Sequence, residues 1–232
     1  MSAVDPDLLA QDLIFEAKLY LAASRYKAAQ DLRWMFARAH HLITQQINET
    51  MLFSPEVFRN PNEMIRFNMS FASAFLAAVA GNASYPWKRA FFECKVAEVQ
   101  TWTEYSPQLW AFTPVIRIEA TLECSIAMAY AHINTDIANS LRTVGCIDPH
   151  DYGNILLFVE RGSRVAIIEL TGTVAGPLFD YLKEEFLPLD KIWRNAIYER
   201  SCGSPVPAIE PSFEETVDEN IQKMLQPAPS TH

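Results

Sequence analysis

Two residues of the sequence, His132 and Asp136, have the types and the spacing of a metal-binding pair. They stand four residues apart in a segment whose apolar and small residues predict a helix, so their side chains project from the same face. Helical bundles present imidazole and carboxylate ligands to one metal ion in this way. The alternative is an ordinary hydrogen-bonded pair, because His and Asp also occur at this spacing without a metal.

Two further histidines, His150 and His40, could complete such a site. His150 follows a turn that could fold it back towards Asp136; alternatively, Asp151 caps the next helix and leaves His150 exposed. His40 falls on the apolar stripe of its helix and His41 does not, so we expect only His40 to face the core. Three such ligands and a water molecule would form a catalytic zinc centre with one open position.

Two carboxylates, Asp151 and Glu119, are candidates for general acid or base. Asp151 adjoins His150, and Glu119 lies further up the helix that carries His132. A carboxylate close to a bound metal ion can carry the proton in such chemistry. Glu123 is the weaker candidate, because it lies nearly opposite His132 on the helical wheel. The chain contains no phosphate-binding glycine loop, nucleophile elbow or HExxH motif.

The elements that must position these residues are helices. Only 7 of the 232 residues are glycine, and dipeptides typical of hairpin turns are scarce. Apolar residues recur at spacings of three and four, which predicts helices. The predicted helices cover residues 7–32, 30–51, 63–80, 87–96, 115–143, 154–170 and 177–199. Residues 154–170 could instead form a hairpin, but no other strand is available to pair with it.

The chain is therefore predicted to form a single all-α domain over residues 1–202, a bundle of about six to eight helices. Residues 203–232 are rich in proline and acidic residues and predict a mobile, largely disordered tail. The aromatic segment 102–112 could line a site for a flat hydrophobic ligand, or it could simply fill part of the core.

Charge and hydropathy exclude several classes of partner. The formal net charge is −9, so the chain has no basic footprint for nucleic acid or anionic lipid. No apolar stretch approaches the roughly 20 residues of a membrane span, and the N-terminus lacks the pattern of a secretion signal. We therefore expect a cytoplasmic protein whose four cysteines are reduced. The sequence leaves the oligomeric state open.

A set of short motifs resembles a family of small all-helical proteins. The hallmark of that family is an N-A-H-I-N-x-D-L segment followed by an H-D-[FY] segment, and the likeness spans about residues 38–165. Tyr130 replaces the first Asn of the hallmark, and His40 stands where the family more often has Tyr. The matching strings, in order, are RAHHLITQQI (38–47), LFSPEVF (52–58), RFNMSFASAF (66–75), SYPWKRAFFE (84–93), AMAYAHINTDI (127–137) and PHDYGNILL (149–157).

Among characterised proteins, the chain is similar to the cyclopenases of fungal quinolone alkaloid pathways, which are small, hemocyanin-like and zinc-dependent. This resemblance implies a lyase of secondary metabolism that converts the benzodiazepinedione epoxide cyclopenin into viridicatin, a 3-hydroxy-4-arylquinolin-2-one, with loss of methyl isocyanate. The implied partner is a small aromatic alkaloid. The implied zinc ligands are His132, Asp136 and either His150 or His40, with Asp151 or Glu119 moving the proton.

Two other functions fit the same residues. The first is a non-catalytic helical module that binds an apolar small molecule, with the His and Asp side chains as a polar lining. The second is a zinc hydrolase of an amide or ester, in which the metal-bound water attacks the substrate. Metal content separates the first from an enzyme, and incorporation of solvent oxygen into the product separates the second from a lyase.

Overall fold

The computed structural model describes residues 3–104, 113–172 and 186–207, and within them leaves out the side chains of residues 99–104, 113–117 and 119. The all-α prediction is confirmed, because the described residues form helices and no β-strand. The helices are α1 (Pro6–Ala28), α2 (Trp34–Phe53), α3 (Pro61–Val79), α4 (Tyr85–Glu104), α5 (Thr113–Ala131), α6 (Ala138–Val144), α7 (Pro149–Thr171) and α8 (Leu187–Cys202), with a short 3₁₀ turn at Pro55–Val57.

Most helix positions agree with the periodicity of the sequence. The segment that could have been a hairpin is helical throughout as part of α7, and α4 runs well beyond the predicted 87–96. Some predicted features lie outside the described residues: the start of the helix predicted at 177–199, most of the aromatic segment 102–112, and the tail from residue 208 onwards.

Glycine at position 162 allows α7 to pack closely against α2. A Cβ atom at this position would lie 2.9 Å from Ile43 Cγ1 and 3.4 Å from the carbonyl oxygen of Ala39, so the side chain of even alanine would collide with α2. Gly162 therefore does not interrupt the helix but lets its neighbour approach. The contact fixes the turn of α2 that carries His40.

The long helix predicted over 115–143 contains one irregular turn. Between α5 and α6 the backbone forms a π-helix over His132–Ile137, and the helix then ends at Gly145, whose φ is 90°. A left-handed φ of this kind favours glycine. π-Helical turns inside α-helices are rare and occur frequently at functional sites. Here the turn begins at His132 and includes Asp136.

The cysteines are paired, which contradicts the prediction of four reduced thiols. Cys94 of α4 is bonded to Cys124 of α5, and Cys146 is bonded to Cys202 at the end of α8. The prediction was wrong because the partners are 30 and 56 residues apart in sequence, and only the fold brings them together. Disulfides persist mainly in oxidising compartments. A cytoplasmic location stays a prediction and loses the argument from reduced cysteines.

The helices are amphipathic rather than uniformly apolar. Among the described residues, none of the helices combines the length and the hydropathy that crossing a bilayer requires.

Candidate metal centre

His132, Asp136 and Trp87 form a buried hydrogen-bonded group. Nδ1 of His132 lies 2.6 Å from Oδ2 of Asp136, and Nε1 of Trp87 donates to the same oxygen at 3.0 Å. The two side chains on the π-turn are only 3% exposed, and Trp87 on α4 is 1% exposed. Because indole N–H can only donate, Oδ2 accepts the bond from Trp87, whereas the direction of the bond between Nδ1 and Oδ2 depends on the tautomer of His132. The predicted pairing of His132 with Asp136 is therefore present, with Trp87 as its third member.

His40 lies beside His132, with ring centroids 4.8 Å apart. The imidazoles come from α2 and from the π-turn, so the fold joins residues that are distant in sequence. Both nitrogens of His40 and the Nε2 nitrogen of His132 are buried and have no hydrogen-bond partner. An unpaired buried polar atom costs about 1–3 kcal/mol. A neutral imidazole carries one N–H and one lone pair, so the two rings together can present two nitrogen lone pairs to a bound metal ion.

Aromatic rings surround the two imidazoles. Phe71 stacks on His132 with centroids 3.6 Å apart, and Phe36 and Trp87 lie at 5.5 and 5.6 Å from the same ring. Phe75 lies 5.7 Å from His40. Phe71 belongs to one apolar core of the bundle, and Phe36, Phe75 and Trp87 belong to the other. The imidazoles thus occupy the seam where the two cores meet.

This environment keeps both imidazoles neutral. Burial lowers the pKa of His40 well below its usual value, and the nearby His132 and Arg194 lower it further. Burial also lowers the pKa of His132, again with a contribution from Arg194. A neutral imidazole is the form that binds metal ions. In the tautomer whose Nδ1 donates to Asp136, the lone pair on Nε2 of His132 is available to a ligand.

The carboxyl group of Asp136 orients His132. Burial raises the pKa of Asp136 to about 7, and the hydrogen bond from Trp87 opposes this shift. A carboxylate that accepts the second ring N–H of a ligating histidine fixes the tautomer and the ring orientation in many metal sites. The structure thus shows Asp136 as the hydrogen-bond partner of His132, and its role as a metal ligand stays a prediction.

A small cavity reaches His40 from the side of α8. Its volume is about 60 Å³, and its polar lining includes His40, Ser125, Asp190 and Arg194. Arg194 donates from Nε to Oδ2 of Asp190 at 2.7 Å, and both residues are buried. The cavity has room for about two water molecules. One positive and one negative side chain therefore face the same space as His40.

His150 and Asp151 belong to a different cluster, at the start of α7. Within the described residues, the one group of three possible ligands that lie within 4.8 Å of each other is Asp148, His150 and Asp151. Asp151 is fully buried, and its two oxygens accept hydrogen bonds from the backbone N–H groups of Arg59 and Asn60 at 2.8 and 2.9 Å. These bonds join α7 to the residues before α3, which is a structural role.

The N-cap residue of α7 belongs to the same cluster. The cap is Asp148, whose Oδ1 accepts from the backbone N–H of His150 at 2.8 Å. Asp151 had been the sequence candidate, and it lies inside the first turn instead. Glu119, the second candidate for proton transfer, lies on α5, but its side chain is outside the described part of the chain.

His41 is buried as well, which contradicts the expectation that only His40 faces inwards. The exposed fraction is 6% for His41 and 3% for His40. Tyr20 of α1 covers the His41 ring, with centroids 5.3 Å apart, and Arg38 lies 2.8 Å from its Nδ1. Arg38 is in turn paired with Glu169 of α7. The apolar stripe of one helix could not reveal this, because α1 and α7 cover the opposite side of α2.

Sequence reasoning missed Trp87, Asp190 and Arg194. Trp87 lies in SYPWKRAFFE, one of the strings that resemble the family. A single tryptophan in a sequence is more simply interpreted as a residue of the hydrophobic core. Asp190 and Arg194 stand four residues apart with opposite charges, which is the usual pattern of an exposed helix pair. No protein family, curated protein or solved structure was found to match the chain.

Replacing Trp87 with phenylalanine tests whether Asp136 orients His132. The change removes the N–H donor to Oδ2 while an aromatic ring remains in the core. For the zinc site proposed below, we expect the affinity for zinc to fall about 10- to 100-fold, as it does when hydrogen-bond partners around metal ligands are lost. Competition with a chromogenic chelator measures this affinity. Trp193→Phe is the matched control, because Trp193 is only partly buried and contacts Tyr130 instead; equal losses in the two variants would contradict the role of Trp87.

Proposed function

We propose that the protein is a zinc-dependent enzyme whose metal ligands include His40 and His132. The observation that supports this most directly is the set of three unpaired ring nitrogens on two adjacent, buried and neutral imidazoles. Buried polar atoms in a hydrophobic core are normally hydrogen-bonded, and a bound metal ion would account for ring nitrogens that are not. Imidazole nitrogen suits zinc, and catalytic zinc sites combine a few protein ligands with an open position.

The proposed site differs from the ligand set that the sequence indicated. Asp136 holds His132 in place through Nδ1, and His150 remains with Asp148 and Asp151 at the start of α7. Asp190 is the described carboxylate that lines the same cavity as His40. We propose it as the proton carrier in place of Asp151, while Glu119 stays a candidate on the sequence argument alone.

The reaction that we propose is that of a cyclopenase, the conversion of cyclopenin to viridicatin and methyl isocyanate. When bound, Zn²⁺ would act as a Lewis acid towards an amide carbonyl or epoxide oxygen. The guanidinium of Arg194 would favour negative charge that develops on an oxygen in the cavity. The aromatic rings around His132 restrict water to the small cavity beside His40, and few water molecules in the site would favour rearrangement over hydrolysis.

The size of the cavity bears on how such a substrate would bind. Pockets for drug-sized ligands measure about 300–1,000 Å³, whereas the cavity beside His40 measures about 60 Å³. It accommodates the reacting group of a substrate and not its two aryl rings. The proposal therefore requires the cavity to widen on binding, as happens in the minority of complexes that rearrange.

Metal content and turnover test the proposal together. Inductively coupled plasma mass spectrometry of untagged protein purified without chelators should find about one zinc per chain. Cyclopenin should be converted to viridicatin, and the activity should disappear on chelation and return with zinc. Protein that contains no metal and takes up none on titration would contradict the proposal and favour the non-catalytic binding module.

The zinc hydrolase is the second candidate, and the oxygen source distinguishes it. The metal-bound water would be consumed, so a reaction in ¹⁸O-labelled water would put the label into the retained product. The cyclopenin rearrangement needs no water. A zinc-containing protein that leaves cyclopenin unchanged but hydrolyses aryl amides or esters with incorporation of label would replace the lyase by the hydrolase.

A further inference from the structure

A second group of polar side chains is enclosed between α1, α2 and α3. Nδ2 of Asn68 donates to Oδ2 of Asp12 at 2.8 Å, and the hydroxyl of Thr44 donates to Oδ1 of Asn68 at 3.4 Å. On the other side, Nδ2 of Asn48 donates to Oε2 of Glu16 at 2.9 Å. Asp12 and Glu16 are one turn apart on α1, and Thr44 and Asn48 are one turn apart on α2. The three hydrogen bonds link the five side chains in two sets, which one turn of α1 and one turn of α2 connect through the backbone; the five are called the α1–α3 ring below.

Two oxygens of the α1–α3 ring lack partners. Oδ1 of Asp12 and Oδ1 of Asn48 are buried and accept no hydrogen bond. Asp12 is fully buried and Asn48 is 1% exposed. Each of the two side chains uses its other polar atom within the ring, so one unpaired oxygen belongs to α1 and the other to α2. A buried acceptor without a donor is costly and calls for an explanation.

The charges within the ring have one sign. Burial raises the pKa of Asp12 and of Glu16, and repulsion from Glu16 and from Glu49, respectively, raises each pKa further. No lysine or arginine among the described residues is paired with Asp12 or Glu16. Asp12 is fully buried and Glu16 is partly buried, and carboxyl groups that repel each other in such surroundings take up protons or bind a cation.

We propose that the α1–α3 ring is a binding site for a hard divalent cation, of which Ca²⁺ is the best fit. The atoms available are all oxygens: carboxylate oxygens of Asp12 and Glu16 and the amide oxygen of Asn48. Carboxylate and amide oxygens, completed by water, are the ligands that Ca²⁺ takes in proteins. The ion would pair the two unpaired oxygens and join α1 to α2. This site is independent of the imidazole site, whose nitrogens suit zinc.

Thermal unfolding of the full-length protein tests this site. In metal-free buffer, millimolar CaCl₂ should raise Tm by on the order of 5 °C relative to the same ionic strength of KCl. Asp12→Asn should remove the shift, because it takes away one carboxylate without changing the shape of the side chain. Glu16→Gln provides a second variant should the first fail to fold. Glu63→Gln is the control, an exposed carboxylate at the start of α3 that should keep the shift.

Metal analysis keeps this proposal separate from the zinc site. Asp12→Asn should lose bound calcium and keep zinc, whereas His132→Ala should keep calcium. If neither Ca²⁺ nor Mg²⁺ changes the Tm of the wild-type protein, the ring is a proton-sharing structural group and the proposal is wrong. An unchanged Ca²⁺ shift in both Asp12→Asn and Glu16→Gln would also overturn it.

Discussion

Replacing His132 with alanine is expected to abolish zinc binding and to lower cyclopenin turnover by at least about 10³-fold. Loss of the metal removes several kcal/mol of transition-state stabilisation, and each 1.36 kcal/mol corresponds to a factor of ten in rate. The fold should survive, because Asp136 keeps its hydrogen bond from Trp87 and the surrounding core remains. Zinc content, circular dichroism and turnover of the same preparation measure the three effects. Full activity in a zinc-free variant would contradict the proposed centre.

Three other histidine variants make this result specific. His40→Ala should behave like His132→Ala, since His40 supplies the neighbouring ring. His41→Ala is the matched control: it is also buried and adjoins His40, but its Nδ1 is paired with Arg38. His150→Ala should retain zinc, because His150 lies in the cluster with Asp148. Loss of zinc in His150→Ala, with zinc retained in His132→Ala, would move the metal site to the start of α7.

The sequence predicted the helices well because helical periodicity is a local property. Residues a few positions apart determine whether a stretch such as 154–170 has one apolar face, and the segment is helical as expected. Periodicity could not predict contacts between residues that are distant in sequence. The disulfide between Cys146 and Cys202 and the packing of Gly162 against Ile43 become visible only when the helices are placed together.

For the candidate site, the sequence identified the residue types but not their grouping. The spacing of His132 and Asp136 predicted their contact, which the structure contains. It could not show that Trp87 completes the group, because 45 residues separate Trp87 from His132 in the numbering of the chain. Nor could it show that His40 rather than His150 lies beside His132. Which histidine lies beside His132 depends on how α2 packs against the π-turn. The periodicity within one helix does not determine how it packs against another segment.

Asp12→Asn is expected to stabilise the metal-free protein at alkaline pH. Burial raises the pKa of Asp12 from its ordinary value of 3.8 to about 7, and the nearby Glu16 raises it further, while the hydrogen bond from Asn68 opposes the shift. Between these two values the folded state binds more protons than the unfolded state. The free energy of unfolding of the wild type therefore decreases as the pH rises from about 4 to about 7 on account of this group. Asparagine has the same shape and does not titrate.

The advantage of Asp12→Asn should consequently grow by about 3 kcal/mol between pH 5 and pH 8, since each pKa unit is worth 1.36 kcal/mol. Urea unfolding at a series of pH values, with a chelator present, measures the difference. Asp31→Asn is the control, because burial acts to raise the pKa of Asp31 but the bonds from Arg33 outweigh it and lower the pKa. That carboxylate is ionised in both states above pH 5, so the effect of Asp31→Asn should not change with pH. A pH-independent difference for Asp12→Asn would show that the ring does not hold Asp12 as a protonated acid. In calcium the order should reverse, because the wild type alone gains the energy of binding.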